Sequence, residues 1–206
     1  LLLACSRAAV ESVSTHATAK VVYNGVDPNR FRPPDAEARV VTRARFGIEP
    51  EDFLLGMTGR ITDNKGQQRV CEALLACRDR YPQLRLLIAG SGPDEGSLRD
   101  WCDRNGLTGH IHFTGFQADV LPVLHALDAY VMASEEEGLG IALLEAMATG
   151  LPCLVSNFSA AQEIVTDGES ALLFDRASVT SLADAIADSV ESPHKRLEWG
   201  AAARET

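Results

Sequence analysis

Residues 138 to 152, GLGIALLEAMATGLP, hold one charged residue, Glu145, among small and apolar neighbours. A second carboxylate, Glu137, stands directly before the Gly138-Leu139-Gly140 entry to that segment. An ionised carboxylate can only accept hydrogen bonds. At helical spacing Glu145 meets Ile141, Ala142, Ala148 and Thr149, none of which neutralises it, and no Lys or Arg lies close by along the chain. A pair of ribose or sugar hydroxyls would satisfy it; the alternative is a surface glutamate on a thin solvent-facing strip. Gly138 and Gly140 let the backbone approach a ligand closely. A helix starting near Ile141 offers unpaired N–H groups with a partial positive charge, an end that suits phosphate. Glu135 and Glu136 read as solvated neighbours.

An anion needs cations, and the chain has few to spare. Lys and Arg total 19 against 29 for Asp and Glu, a formal net charge of −10. That field repels polyanions, so nucleic acid is excluded as an expected partner. The stretch GRITDNKG supplies Gly59, Arg60, Lys65 and Gly66 in one loop. There a forked guanidinium and a point-charge ammonium could hold a pyrophosphate, or could simply be solvated. Phe116 and Gln117, in TGFQADV, could frame a nucleobase or form a turn with one apolar plug. GSGPDEG resembles a nicotinamide fingerprint, but its spacing is G-x-G-x-x-x-G with Pro93 inside it. It reads as a tight turn in which Pro93-Asp94 opens a helix. His110 and His112 alternate along a strand without acidic or cysteine companions, so they read as packing or edge residues and no metal site is expected.

These loops follow short apolar runs. FLLGMTG, LRLLIAG, HIHFTG, AYVMAS and PCLVSN read as strands, with a small strand ALLF after the Asp167-Gly168 turn. Helix-period segments separate them: QQRVCEALLACRDR with Val70, Leu74 and Cys77 on one stripe, a helix carrying Leu98, Trp101 and Cys102, VLPVLHAL, and a final helix near Ser178 to Val190. The fold class is therefore α/β, a Rossmann-like parallel sheet with helices on both faces. Such sheets bind ligands outside the carboxyl ends of their strands, where every candidate residue falls. The front differs. LLLACSRAAVESV reads as a strand and helix start, and VVYNGVDPNRFRPPDAEA as a turn-rich crossover. The expected division is 1–20 as the remnant of a preceding domain, 21–36 as the crossover and 37–206 as the ligand-binding domain.

A hydrophobic fraction of 46% and a charged fraction of 23% describe an ordinary globular chain. No apolar run is long enough for a membrane span. The chain begins with Leu1 and meets Arg7 too early for a signal-peptide core, so it reads as the cut end of a longer one. The five cysteines, Cys5, Cys71, Cys77, Cys102 and Cys153, show no C-x-x-C spacing and read as buried thiols in a reducing cytoplasm.

Taken in order, VVYNGVDPNRF, GRITDNKG, LLIAGSGPDEGSLRD, IHFTGFQADV, SEEEGLGIALLEAMATGLP and AAQEIVTDGESALLF resemble the carboxyl-terminal domain of the retaining glycosyltransferases of family 4, which have the two-domain GT-B fold. The resemblance runs from about Val21 to Val190. That family marks its donor site with two glutamates separated by seven residues, as Glu137 and Glu145 are. It implies that Arg60 and Lys65 neutralise the donor diphosphate and that Glu145 accepts from the ribose hydroxyls. Glu137 would touch hydroxyls of the transferred sugar. N–H groups from Leu139 through Gly140 and Ile141 to Ala142 would hold phosphate, and Phe116 and Gln117 would meet the base. The family generally needs no metal or other cofactor, in keeping with the absence of a D-x-D motif. The implied partners are a nucleotide-sugar donor and a carbohydrate or lipid-linked acceptor bound by the amino-terminal domain, which allows peripheral membrane association of a cytoplasmic full-length enzyme. Most of that domain and the helix that returns to it fall outside this sequence, so the chain alone is expected to bind donor with little or no turnover. Competing readings are a nucleotide-sugar epimerase or sugar phosphorylase of the same fold, a non-catalytic nucleotide-sugar module and, disfavoured by its glycine spacing, a nicotinamide-binding domain.

Overall fold

Strands that are apolar without alternation must be covered on both sides, and this chain covers them. The computed structural model describes residues 2–12 and 19–206. It runs β1 Leu2–Ala4, α1 Arg7–Glu11, β2 Ala19–Val21, α2 Ala36–Arg45, β3 Phe53–Thr58, α3 Gln67–Cys77, β4 Leu84–Ala89, α4 Glu95–Arg104, β5 Ile111–Gly115, α5 Leu121–Ala126, β6 Ala129–Met132, α6 Ile141–Ala148, β7 Cys153–Ser156, β8 Leu172–Phe174, α7 Val179–Glu191 and α8 Pro193–Glu205.

Six strands form one parallel sheet in the order β5-β4-β3-β6-β7-β8. Successive residues of β3 point to opposite faces. Leu55 belongs to the core cluster that holds Val70, Leu74 and Ile186 from α3 and α7, while Leu54 belongs to the one that holds Leu124, Leu143 and Met147 from α5 and α6. The chain winds outward from β3 to β5, then returns to the other side of β3 and winds outward again. That reversal opens a crevice beyond the carboxyl ends of β3 and β6. The expected parallel sheet with helices on both faces is thus observed.

Two helices went unread in the sequence. In α2 the buried residue is Arg43, whereas Val40 and Val41 are exposed. Arg43 donates to the carbonyls of Glu49 and Asp52 at 2.7 Å each and to Asp128 Oδ2 at 3.0 Å; Arg39 reaches Asp128 Oδ1 at 2.7 Å. A guanidinium hydrogen-bonded through both terminal nitrogens thus anchors a helix that lacks an apolar stripe. Helix α8 buries only Trp199, Gly200 and Ala203. Its Arg204 donates to the carbonyls of Phe31, at 2.9 Å, and Pro28, at 3.1 Å, and so holds the turn-rich segment ahead of α2.

Ahead of that segment, β1 and β2 form a separate two-stranded parallel sheet. Glu163 ties it to the main sheet's loops by accepting from the N–H groups of Ala8, at 2.8 Å, and Arg7, at 3.0 Å, and from the Tyr23 hydroxyl at 2.8 Å. All five cysteines are free thiols, and Cys71, Cys77, Cys102 and Cys153 are buried. No helix among the described residues is long and apolar enough to cross a membrane.

Candidate functional site

The crevice between β3 and β6 is built from two loops that glycine allows to meet. After β3 the chain passes Gly59 and Arg60 into a 3-10 turn, Asp63–Lys65, that ends at Gly66 with φ +69°. A Cβ on Gly66 would stand 2.2 Å from the Ala133 carbonyl oxygen, so only glycine lets this turn lie against the end of β6. The turn carries Lys65 to the loop following β6. There the Glu137 Oε1 accepts from Lys65 Nζ, and from Ser134 Oγ at 2.8 Å. Glu137, without a cation close by in sequence, receives one across the fold.

One cavity of about 410 Å³ is lined by Gly59, Arg60, Lys65, Glu137, Leu139, Gly140, Ile141 and Ala142. Gly138 is adjacent to this wall, and its carbonyl faces Ser6 instead. Arg60 is exposed, and among the described residues its guanidinium has no hydrogen-bond or carboxylate partner. Its backbone carbonyl accepts from Gln67 Nε2 at 2.9 Å, which steadies the loop. Gly140 caps α6 with φ +85°. The N–H groups of Leu139, Gly140, Ile141 and Ala142 find no acceptor among the described residues. A positive helix end, a free guanidinium and an ammonium thus face one space, a set fitted to a dianion.

Glu145 lies one turn along α6, outside the residues that line the cavity. It is half-buried and accepts no hydrogen bond from the described residues. Burial pushes its carboxyl pKa up; Arg30 pulls it down and Asp119 pushes it up again. Arg30 comes from the turn-rich segment ahead of α2 and is itself paired with Asp119 at 3.0 Å. No Lys or Arg lies close to Glu145 along the chain, and the one cation whose charge reaches it comes from a distant segment and is paired with Asp119. Glu145 also adds to the upward push on Tyr130, whose main cause is burial. Tyr130 lines the cavity and shares a 3.1 Å hydrogen bond with Thr58. Glu135 and Glu136, read as solvated, are paired with Arg69 at 2.7 Å and Arg176 at 2.6 Å.

Phe116 and Gln117 belong to a second cavity of about 650 Å³, which shares Gly59 and Arg60 with the first. Phe116 is 76% exposed. The Gln117 side chain donates to the Thr114 carbonyl at 3.0 Å. Gly90 and Gly92 are structural, since a Cβ there would stand 1.7 Å from the Gly59 oxygen and 2.0 Å from the Ile61 oxygen. Their loop nevertheless also walls this second cavity, a role not read from sequence. Asn24, Thr58, Tyr130 and Ser134 line the first cavity and were likewise missed. Asn24 and Ser134 stood inside quoted motifs; buried Tyr130 carried no signal. His110 sits one residue ahead of the edge strand β5, its Nδ1 3.1 Å from the Leu84 carbonyl oxygen. His112 is half-buried, and its pKa is lowered first by burial and then by Arg85. Among the described residues no three His, Cys, Asp or Glu side chains are grouped to hold a metal ion.

Comparison with known proteins then decides the family. A model described as glycosyl transferases group 1 matches residues 39–206. The chain belongs to that family. It is 38% identical over 191 residues to a GDP-mannose-dependent alpha-(1-6)-phosphatidylinositol monomannoside mannosyltransferase of Mycobacterium tuberculosis, covering 88% of this chain and 49% of that protein. It is 30% identical over 174 residues to the lipopolysaccharide core biosynthesis mannosyltransferase LpsB of Rhizobium meliloti, covering 81% and 49%. Among solved structures, Anabaena HepE in complex with UDP-glucose superposes with a TM-score of 0.92 at 26% identity, over 100% of this chain and 58% of that one. The carboxyl-terminal domain of a group 1 glycosyl transferase, LpcC of Francisella tularensis, superposes with a TM-score of 0.79 at 29% identity, over 88% and 95%. The group 1 domain thus spans about half the length of the curated relatives it matches.

Proposed function

We propose that this domain binds the nucleotide diphosphate sugar donor of a retaining, family 4 glycosyltransferase, which transfers the sugar to an acceptor hydroxyl. The observation that carries the reading is the cavity at the β3–β6 reversal, where Arg60, Lys65, Glu137 and the amino end of α6 converge. In this reading Arg60, Lys65 and the N–H groups of Leu139 to Ala142 hold the diphosphate. As the glycosidic bond breaks, negative charge grows on the departing nucleoside diphosphate. Fixed donors aimed there stabilise the transition state more than the ground state. The two cations and the helix end do this work, so the reading needs no metal. Glu137 meets hydroxyls of the sugar and Glu145 the ribose, while Phe116, Gln117 and the Gly90–Pro93 loop enclose the base.

GDP-mannose is the first donor to test and UDP-glucose the second, because relatives and neighbours carry those names. The acceptor would be a lipid-linked or surface glycan, presented by the other half of the full-length protein at a membrane face. Removing one partner of a desolvated charge pair costs roughly 2–5 kcal/mol. Arg60→Ala and Lys65→Ala are therefore each expected to weaken nucleoside diphosphate binding by about tenfold or more, measured by titration calorimetry on this chain. Unchanged affinity in both variants refutes the assignment. The chain by itself is expected to show no sugar transfer in a product assay; robust turnover would place the acceptor site within residues 1–206.

A further inference from the structure

We infer that Ser6, in the segment ahead of the crossover, is a positioning residue that aims the Leu139 N–H into the donor cavity. The inference rests on the donor reading above and names a device that the reading does not contain.

Ser6 is fully buried although it stands in a short exposed segment. Its hydroxyl donates to the Gly138 carbonyl and accepts from the Ala9 N–H at 3.0 Å, so both capacities are used and its rotor is fixed. The approach is close: a Cβ on Gly138 would stand 3.0 Å from Cys5 Sγ. Peptide units are planar and trans, so the carbonyl of one residue and the N–H of the next point in opposite directions from one plane. Holding the Gly138 oxygen toward Ser6 therefore turns the Leu139 N–H the other way. Leu139 lines the donor cavity, and its N–H has no acceptor among the described residues.

The rest of the loop is fastened elsewhere. Ser156 Oγ donates to the Ser134 carbonyl at 2.6 Å, the Glu135 N–H donates to the Asn64 carbonyl at 2.9 Å, and Lys65 and Ser134 hold Glu137. None of these contacts sets the peptide plane between Gly138 and Leu139. Ser6 is in turn kept in place by Glu163, which accepts from the next two N–H groups, those of Arg7 and Ala8. One anion-binding donor of the main domain is thus oriented from the small β1–β2 unit.

The test compares Ser6→Ala and Ser6→Cys with the unaltered chain by calorimetry against GDP, UDP and the corresponding nucleosides. The Leu139 amide resonance is followed in the same titrations. A hydrogen bond to a charged group supports an expected loss of about tenfold in nucleoside diphosphate affinity for Ser6→Ala. The expected loss for Ser6→Cys is smaller, because a thiol is a weak donor. Nucleoside affinity should hold in both, and the Leu139 resonance should respond to diphosphate in the unaltered chain but not in Ser6→Ala. If Ser6→Ala does not fold, the Ser6→Cys result decides alone. Unchanged diphosphate affinity, or equal losses for diphosphate and nucleoside, overturns the role of Ser6. Should the unaltered chain bind no nucleoside diphosphate, the donor reading falls and this inference with it. Should Arg60→Ala weaken binding while the Ser6 variants do not, only the inference fails.

Discussion

Glu137 and Glu145 flank the start of one helix, and the fold treats their charges in opposite ways. Glu137 is met from within, by the Lys65 ammonium and the Ser134 hydroxyl, and is only 16% exposed. Glu145 is half-buried and receives no hydrogen bond from the described residues. Arg30, whose charge pulls its pKa down, is engaged by Asp119. A half-buried acceptor that no protein donor meets is left to solvent alone, and a hydroxyl-bearing ligand can supply the missing donors. A ligand at Glu145 would therefore displace no protein hydrogen bond, whereas on the proposed reading a sugar at Glu137 would compete with Lys65 unless a diphosphate drew that ammonium away. Two acids of one type on one connection thus differ in what a ligand gains from each.

The contrast can be broken most directly at Glu145. Losing hydrogen bonds to a charged acceptor, worth about 1.5–3 kcal/mol each, should make Glu145→Ala bind nucleoside diphosphate about tenfold to a hundredfold more weakly. Calorimetry showing no loss would mean that Glu145 is a solvated helix residue. A smaller, more selective effect is expected at Glu137. Glu137→Gln should leave nucleoside diphosphate affinity within about threefold, while the added affinity conferred by the sugar falls about tenfold. Equal losses for the nucleoside diphosphate and its sugar conjugate would make Glu137 a partner of the phosphates' lysine only.

The smallest effect is on stability, and it distinguishes the two acids without a ligand. A carboxyl whose folded-state pKa lies above its ordinary value of 4.5, as at Glu145, keeps its proton in the folded chain where the unfolded chain has lost it. Stability therefore falls as pH rises from that ordinary value through the raised one, and the deficit persists above it. Glu145→Gln should raise Tm at pH 7, and the gain should vanish below about pH 4, where the unfolded carboxyl is protonated too. Glu137→Gln should show no such gain, since its charge is already partnered. Scanning calorimetry of both variants across this pH range gives the comparison; a lower Tm for Glu145→Gln at pH 7 would contradict it.

Much of the fold was legible before any coordinate. Continuous apolar runs such as Phe53–Thr58 and Ala129–Met132 can be satisfied only by cover on both faces, and turn residues separate them from amphipathic helices such as Gln67–Cys77. Helices α2 and α8 escaped notice because their anchors are polar or sparse: Arg43 and Arg39 on Asp128 in one, Trp199, Gly200 and Ala203 in the other. Periodicity registers greasy stripes and is blind to a buried guanidinium.

The chemistry divides along the same line. Residue type and local spacing alone determined that a lone Glu145 sits among apolar neighbours, that glycines precede its helix, and that Arg60 and Lys65 follow a strand end, because each property is written within a few consecutive positions. Only the tertiary structure decided that Lys65 pairs with Glu137, that Arg30 stands near Glu145 and that Ser6 grips Gly138. Those pairings join positions 72, 115 and 132 residues apart, and groups separated by that much chain act on one another only where folding brings them together.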